Sequence, residues 1–154
     1  MATWLVTGAS SGIGEGVARA ALSRGESVAV TARDEGRLAS LAELYPEQVL
    51  PLRMDLADEE SLARAVVATS ERFGAIDVLV NNAGHGYRAT VEEGDPAGIH
   101  EVYQANLFGP TELMRLVLPG MRERRSGTIV NVSSIGVARS AAGTTVPPRP
   151  RSSC

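Results

Sequence analysis

A parallel, doubly wound α/β fold is the architecture that the sequence predicts, on the basis of three observations. Short apolar or β-branched runs alternate with segments whose apolar residues recur at helical spacing. A glycine-rich turn joins the first apolar run to the first helical segment. The run at residues 76–80 is largely apolar, as in strands that are covered on both faces of a sheet. Because strands that alternate with helices form right-handed βαβ units, about five parallel strands are expected.

The predicted elements follow one another with recognisable boundary residues. Strands are expected at residues 3–7, 27–32, 49–54, 76–80 and 128–132. Helices are expected to cover residues 13–22, 34–45, 58–73 and 95–122, each with a margin of a few residues. Asp34 is a predicted N-cap, the acidic residues 58–60 suit the positive end of the third helix, and Pro96 suits the first position of the last helix. That helix is expected to bend near Gly109 and Pro110.

Length and composition indicate one globular domain. The chain has 154 residues, of which 44% are hydrophobic and 21% are charged. We predict a nucleotide-binding domain over residues 1–136 and an irregular tail over residues 137–154. The formal net charge is −3, so no strong basic field is present to attract nucleic acid, and no nucleic-acid partner is expected.

Cysteine usage and hydropathy exclude several other classes of protein. Cys154 is the single cysteine, so neither a disulfide framework nor a thiolate metal site is expected. The first residues lack the basic region of a secretory signal. No apolar stretch approaches the roughly 18 residues that a membrane span requires. We therefore expect a cytoplasmic protein with no membrane partner and no metal.

The glycine-rich turn predicts a dinucleotide site. Residues 7–14 read Thr-Gly-Ala-Ser-Ser-Gly-Ile-Gly and connect a strand to a helix. In that context glycines permit a tight turn and close approach of a pyrophosphate, which the helix N-terminus attracts. The predicted cofactor contacts here are Gly8, Ser10, Gly12, Ile13 and Gly14. Glu15 stands where a Walker-type loop would need lysine, and a generic strand-to-helix turn is the alternative.

The end of the second strand favours NADP over NAD. NAD sites usually carry an acidic residue there to hold the ribose 2′-hydroxyl, whereas this chain has Ala32 followed by Arg33. An arginine suits a 2′-phosphate because it can form two charge-assisted hydrogen bonds. An exposed arginine beside a helix start is the alternative interpretation. Asp34 is interpreted as a helix cap and not as a ribose ligand.

From about Thr3 to Ile135 the chain resembles the short-chain dehydrogenase/reductase family, which has a Rossmann-type fold. Residues 7–14 match the family's T-G-x-x-x-G-x-G. Residues 81–84, Asn-Asn-Ala-Gly, match its N-N-A-G, and residues 131–134 match the segment that holds its catalytic serine. Asp55 and Asn106 occupy the places of two further family residues.

The resemblance implies a site and a reaction. It places Asp55, Asn82, Ala83 and Gly84 at the cofactor, and it makes Ser134 and Asn106 catalytic residues. The reaction would move a hydride between the nicotinamide and a small carbonyl or alcohol substrate. Taken singly, these residues could be strand-end caps or turn residues, and a methyltransferase-like Rossmann domain is a weaker alternative. His85, His100 and Tyr87 are interpreted as loop or helix-surface residues near the substrate.

The family's proton-donating pair, Tyr-x-x-x-Lys, is missing. The resemblance implies a tyrosine near position 147, which is Pro147, and the chain contains no lysine. Tyr45, Tyr87 and Tyr103 all lie upstream. An unperturbed tyrosine has a pKa near 10, so the lysine would be needed to lower it. A catalytically inactive, truncated relative that only binds NADP(H) is therefore the alternative function.

The proline-rich tail is interpreted as a frameshift product. Codons allowed for residues 143–153, read from one base earlier, can encode Gly-Tyr-Tyr-Arg-Ala-Thr-Lys-Ala-Ala-Val-Glu, which contains Tyr-x-x-x-Lys. The shift would lie between about Gly136 and Gly143, and a genuine short ending is the alternative. A homo-oligomer is expected only for a full-length form.

Overall fold

The computed structural model describes residues 1–134, so the predicted tail and its frameshift lie outside the described residues. The strands are β1 (Thr3–Thr7), β2 (Ser27–Ala32), β3 (Val49–Arg53), β4 (Val78–Asn81) and β5 (Thr128–Asn131). The α-helices are α1 (Gly12–Leu22), α2 (Ala39–Leu44), α3 (Glu59–Phe73), α4 (Pro96–Tyr103) and α5 (Gly109–Arg124). A 3-10 helix at Glu35–Leu38 precedes α2, and a π-helical segment at Gln104–Phe108 joins α4 to α5.

The strands form one parallel sheet, which confirms the predicted fold class. Their order is β3-β2-β1-β4-β5, and every neighbouring pair is parallel. Central strand β1 pairs with both β2 and β4, so that Leu5 lies between Ala29 and Leu79. The chain builds the sheet outwards from β1 in one direction and then in the other, which creates a switch point between β1 and β4.

The alternation of side chains along β1 divides the core into two layers. Val6 belongs to the layer that contains Ala18 and Leu22 of α1. Leu5 belongs to the opposite layer, with Leu62 of α3 and Leu113 of α5. Helices therefore cover both faces of the sheet, and the carboxyl ends of the strands meet along one edge between these layers.

Strand β4 and the second predicted helix depart from their predicted extents. Strand β4 begins at Val78 and not at Ile76, and the Asp77 carboxylate before it accepts a hydrogen bond from the backbone N–H of Thr3. The helix expected over residues 34–45 is divided into the 3-10 helix and α2. The predicted cap is confirmed, because the Asp34 side chain accepts a hydrogen bond from Gly36 N.

The last long helix is interrupted close to the predicted bend. A π-helical segment at Gln104–Phe108 directly precedes Gly109 and Pro110. Pro110 has no N–H to donate to the preceding turn, and a π-helical turn is one way to accommodate the interrupted hydrogen-bond ladder. The segment contains Asn106, one of the two predicted catalytic residues.

Among residues 1–134, no helix combines the length and the hydropathy needed to cross a bilayer. In this part of the chain, no three histidine, cysteine, aspartate or glutamate side chains are grouped as metal ligands would be.

Candidate functional site

A cleft of about 890 Å³ opens at the carboxyl ends of the strands. Its position coincides with the switch point of the sheet, where open α/β folds bind ligands. Eight predicted cofactor contacts line it: Gly8, Ser10, Ile13, Arg33, Asp55, Asn82, Ala83 and Gly84. The structure therefore brings together residues that are far apart in the sequence.

The floor of the cleft is the turn between β1 and α1. Gly8 and Gly12 have positive φ angles of 66° and 60°, which L side chains rarely adopt. Ser11 caps α1 in an extended conformation without a side-chain hydrogen bond. The first N–H groups of α1 thus remain available to an anion, and Ile13 is 65% exposed beside them.

The hydroxyl of Thr7 fastens the turn after β4 to β1. Thr7 Oγ1 accepts hydrogen bonds of 2.9 Å from both Asn82 N and Ala83 N, and it donates one of 3.2 Å to Val80 O. The Asn82 amide adds hydrogen bonds from Nδ2 to Thr7 O (2.9 Å) and to Gly8 O (3.2 Å). Asn82 lines the cleft while its amide nitrogen holds the glycine-rich turn in place.

Gly14 lies behind the cleft, in the closest packing of the site. It is buried, and a Cβ on it would overlap Gly8 O and Asn82 Nδ2. A Cβ on Gly8 would come within 2.8 Å of Ala83 Cα. Gly8 and Gly14 leave no room for a side chain because three backbone segments meet there. Gly14 therefore supports the cleft from outside its lining. Gly12 does not line the cleft either and lies in the exposed part of the turn.

Arg33 and Asp55 lie at the ends of β2 and β3, on the side of the cleft away from β4. Both side chains are exposed. Asp55 Oδ1 accepts a 3.0 Å hydrogen bond from Ala57 N, which fixes the carboxylate at the end of its strand. Asp34 contributes to the helix cap, in agreement with its predicted role, and is not among the residues that line the cleft.

Asn106 holds the end of the segment that follows β4. Its Nδ2 donates a 2.8 Å hydrogen bond to His85 O, and its Oδ1 accepts one of 3.1 Å from His85 N. A Cβ on Gly84 would approach Asn106 Oδ1 to 2.7 Å, so glycine is needed for this contact. Asn106 lies outside the cleft lining and acts on it through the backbone of His85.

Ser134 follows β5, which pairs with β4. The Asn81 amide donates a 2.9 Å hydrogen bond to Asn131 Oδ1, and Val132 N donates one to Asn81 O. Through these contacts β5 stays paired with the end of β4, and the exposed residues 132–134 follow directly after β5. Ser134 itself is not among the residues that line the cleft.

Three features of the site were missed by the sequence analysis. Arg37 and Glu101 line the cleft, and Thr7 anchors it from below. Arg37 could have been found from its position one helical turn after Arg33. His100 is a helix residue, as predicted, but it faces the cleft. Nothing in the sequence signals that the Thr7 hydroxyl binds two amides, because the segments involved meet only in the fold.

Comparisons with known proteins agree with this geometry. The family model for short chain dehydrogenase matches residues 2–146. Oxidoreductase BOA17 of Botryotinia fuckeliana is 40% identical over 134 residues, which cover 86% of this chain and 49% of the relative. The chain spans about half the length of the curated relatives it matches.

Solved structures of short-chain dehydrogenases also resemble this chain. A short-chain dehydrogenase from Streptomyces avermitilis superposes with a TM-score of 0.84 at 41% identity, over 88% of this chain and 50% of that one. A metagenomic short-chain oxidoreductase in complex with NADP superposes with a TM-score of 0.82 at 33% identity, over 86% of this chain and 62% of that one.

Proposed function

Since this chain belongs to the short-chain dehydrogenase/reductase family, a family of oxidoreductases, we propose that it represents an NADP-dependent member. The proposed reaction transfers a hydride between the nicotinamide and a carbonyl or secondary alcohol of a small molecule. One observation carries the proposal: a single cleft at the switch point gathers the glycine-rich turn, Arg33, Asp55 and residues 82–84.

The residues of the cleft suit a dinucleotide. The glycine-rich turn leaves backbone room where a pyrophosphate would approach, and the start of α1, which no side chain caps by a hydrogen bond, offers N–H donors to it. Asp55 would contact the adenine side, and the methyl group of Ala83 and the bare backbone of Gly84 leave room for the cofactor. Ile13 offers an exposed apolar surface to the bound molecule.

The choice of NADP over NAD rests on Arg33. The position after β2 carries a guanidinium in place of the carboxylate that usually holds a ribose 2′-hydroxyl. The metagenomic relative was solved with NADP, which supports the same choice here. A guanidinium at this place would form charge-assisted hydrogen bonds with the 2′-phosphate.

We expect Arg33→Ala to weaken NADPH binding about ten-fold and to leave NADH binding nearly unchanged, since the lost contact involves only the 2′-phosphate. Isothermal titration calorimetry of each variant with each cofactor measures the effect. Arg53→Ala is the control, because Arg53 is exposed at the end of the neighbouring strand but does not line the cleft. Equal affinity of the unmodified chain for NADPH and NADH would contradict the NADP preference.

Two further residues would serve the reaction in different ways. A bound nicotinamide cofactor would supply the hydride. The Ser134 hydroxyl would donate a hydrogen bond to the substrate oxygen and so stabilise the charge that develops there. Asn106 would be a positioning residue, because its amide fixes the backbone of His85 at the rim of the cleft.

Binding of NADP(H) without turnover is the second candidate, and the absence of lysine from the 154 residues favours it for this chain. Without a Tyr-x-x-x-Lys pair, the substrate oxygen lacks its proton donor, and general acid–base catalysis typically contributes about 10²–10⁴-fold. We expect the purified chain to bind NADPH but to consume none of it above background with a panel of ketones and aldehydes. Turnover that Ser134→Ala abolishes would contradict the binding-only function.

A further inference from the structure

We propose that Arg37 is a second phosphate-binding residue, which acts together with Arg33 on the 2′-phosphate of the cofactor. The inference rests on the proposed NADP-binding function and extends it by naming a specificity-determining residue. Both arginines line the same cleft as Asp55 and the glycine-rich turn.

The backbone around Arg37 is fixed, which gives its side chain a defined origin. Arg37 N donates a 3.3 Å hydrogen bond to Asp34 O within the 3-10 helix. Leu38, the next residue, is fully buried in the core layer that contains α1. Asp34 closes the start of the same turn through its bond to Gly36 N. Arg37 therefore projects from a short, anchored 3-10 helix that begins two residues after Arg33.

Within residues 1–134, both guanidinium groups are available to a ligand. Neither forms an ion pair or a side-chain hydrogen bond with the described part of the chain, whereas Arg19, Arg64, Arg72 and Arg115 are all paired with glutamate or aspartate. Two carboxylates close in sequence or in the cleft have backbone partners, since Asp34 accepts from Gly36 N and Asp55 accepts from Ala57 N. Glu35 of the same 3-10 turn forms no ion pair with either arginine within residues 1–134.

The charge of the ligand explains why a second arginine is needed. A phosphate monoester carries about −1.5 to −2 charges at neutral pH and has three acceptor oxygens. One guanidinium can engage two of these oxygens and neutralise about half of the charge. A second guanidinium on an adjacent turn can satisfy the remaining oxygen, so the pair discriminates against an unphosphorylated ribose more strongly than Arg33 alone.

The test uses cofactor fragments, so that it does not depend on the nicotinamide half of the site or on turnover. Calorimetric titrations compare adenosine 2′,5′-bisphosphate with adenosine 5′-monophosphate for the 154-residue chain and for Arg33→Ala, Arg37→Ala and Arg53→Ala. We expect Arg37→Ala to lower the affinity for the bisphosphate about ten-fold and the affinity for the monophosphate by less than about two-fold. Arg53→Ala should leave both affinities unchanged, and Arg37→Lys, which keeps the charge, should recover part of the loss.

Failure of the role of Arg37 and failure of the NADP preference would give different results in these titrations. If the unmodified chain prefers the bisphosphate and Arg33→Ala removes the preference but Arg37→Ala does not, the inference is wrong and the NADP site stands. An equal loss in Arg37→Ala and Arg53→Ala would also overturn it, because the effect would then be a general field of positive charge. If the unmodified chain shows no preference for the bisphosphate, the NADP preference and the role of Arg37 both fail.

Discussion

Gly14→Ala should lower the free energy of unfolding by about 3 kcal/mol and weaken NADPH binding by about ten-fold or more. The added Cβ would overlap Gly8 O and Asn82 Nδ2. To relieve that overlap, α1 must move away from the glycine-rich turn, which displaces the backbone groups that line the cleft. Chemical denaturation measures the stability, and calorimetry measures the binding.

The same helix offers a matched control in Gly16. A Cβ on Gly16 would meet no atom within 4 Å, apart from the helix's own backbone and its chain neighbours. Gly16→Ala should therefore raise the stability by about 0.8 kcal/mol, since alanine favours a helix over glycine. If the two variants were equally stable, the close packing of Gly14 against Gly8 and Asn82 would not constrain the fold, and that part of the account would be wrong.

Thr7→Val should lower the free energy of unfolding by about 3 kcal/mol while preserving the shape of the side chain. The substitution leaves the N–H groups of Asn82 and Ala83 and the carbonyl of Val80 without their partner. Each buried backbone group without a hydrogen bond costs about 1–3 kcal/mol. The turn after β4 should also become more mobile, so faster amide hydrogen exchange is expected at Asn82 and Ala83.

Thr7→Ser keeps the hydroxyl and removes one methyl group, so it is the control for the hydrogen bonds. It should cost about 1 kcal/mol, the amount expected for a deleted methyl group in a core. Amide exchange at Asn82 and Ala83 should stay close to that of the unmodified chain. A serine variant that loses as much protection at these two amides as the valine variant would show that the hydroxyl is not what holds the turn.

The strands and their order of occurrence were predictable, because local signals determine them. Residues 3–7 and 27–32 were predicted with the observed boundaries, since apolar runs there end at glycine or polar residues. The start of β4 was missed because an apolar residue such as Ile76 does not itself show whether it belongs to the strand; Asp77 beside it contacts Thr3, which lies 74 residues earlier in the sequence. The π-helical segment was missed because several forms of distortion can accommodate a proline such as Pro110.

The location of the site was predictable from its motifs, and its internal contacts were not. Gly8, Arg33 and Asp55 each follow a strand, and parallel strands place their carboxyl ends at one edge. The contact of Asn82 with Gly8 depends on the register of β1 against β4, which no local pattern in the sequence specifies. The place of Arg37 in the lining of the cleft depends on the 3-10 turn, which the sequence analysis had interpreted as part of a longer helix.

The most direct test of the central claim, that the cleft at the switch point binds NADP(H), is an NMR map of backbone amide shifts during titration with NADPH. The account predicts saturable shifts that are largest at residues 8–14, at Arg33 and Asp55, and at residues 82–84. The amides at the start of β5, around Thr128, lie in a separate shallow hollow and should not move. Absence of saturable shifts, or shifts centred on Thr128, would contradict the account.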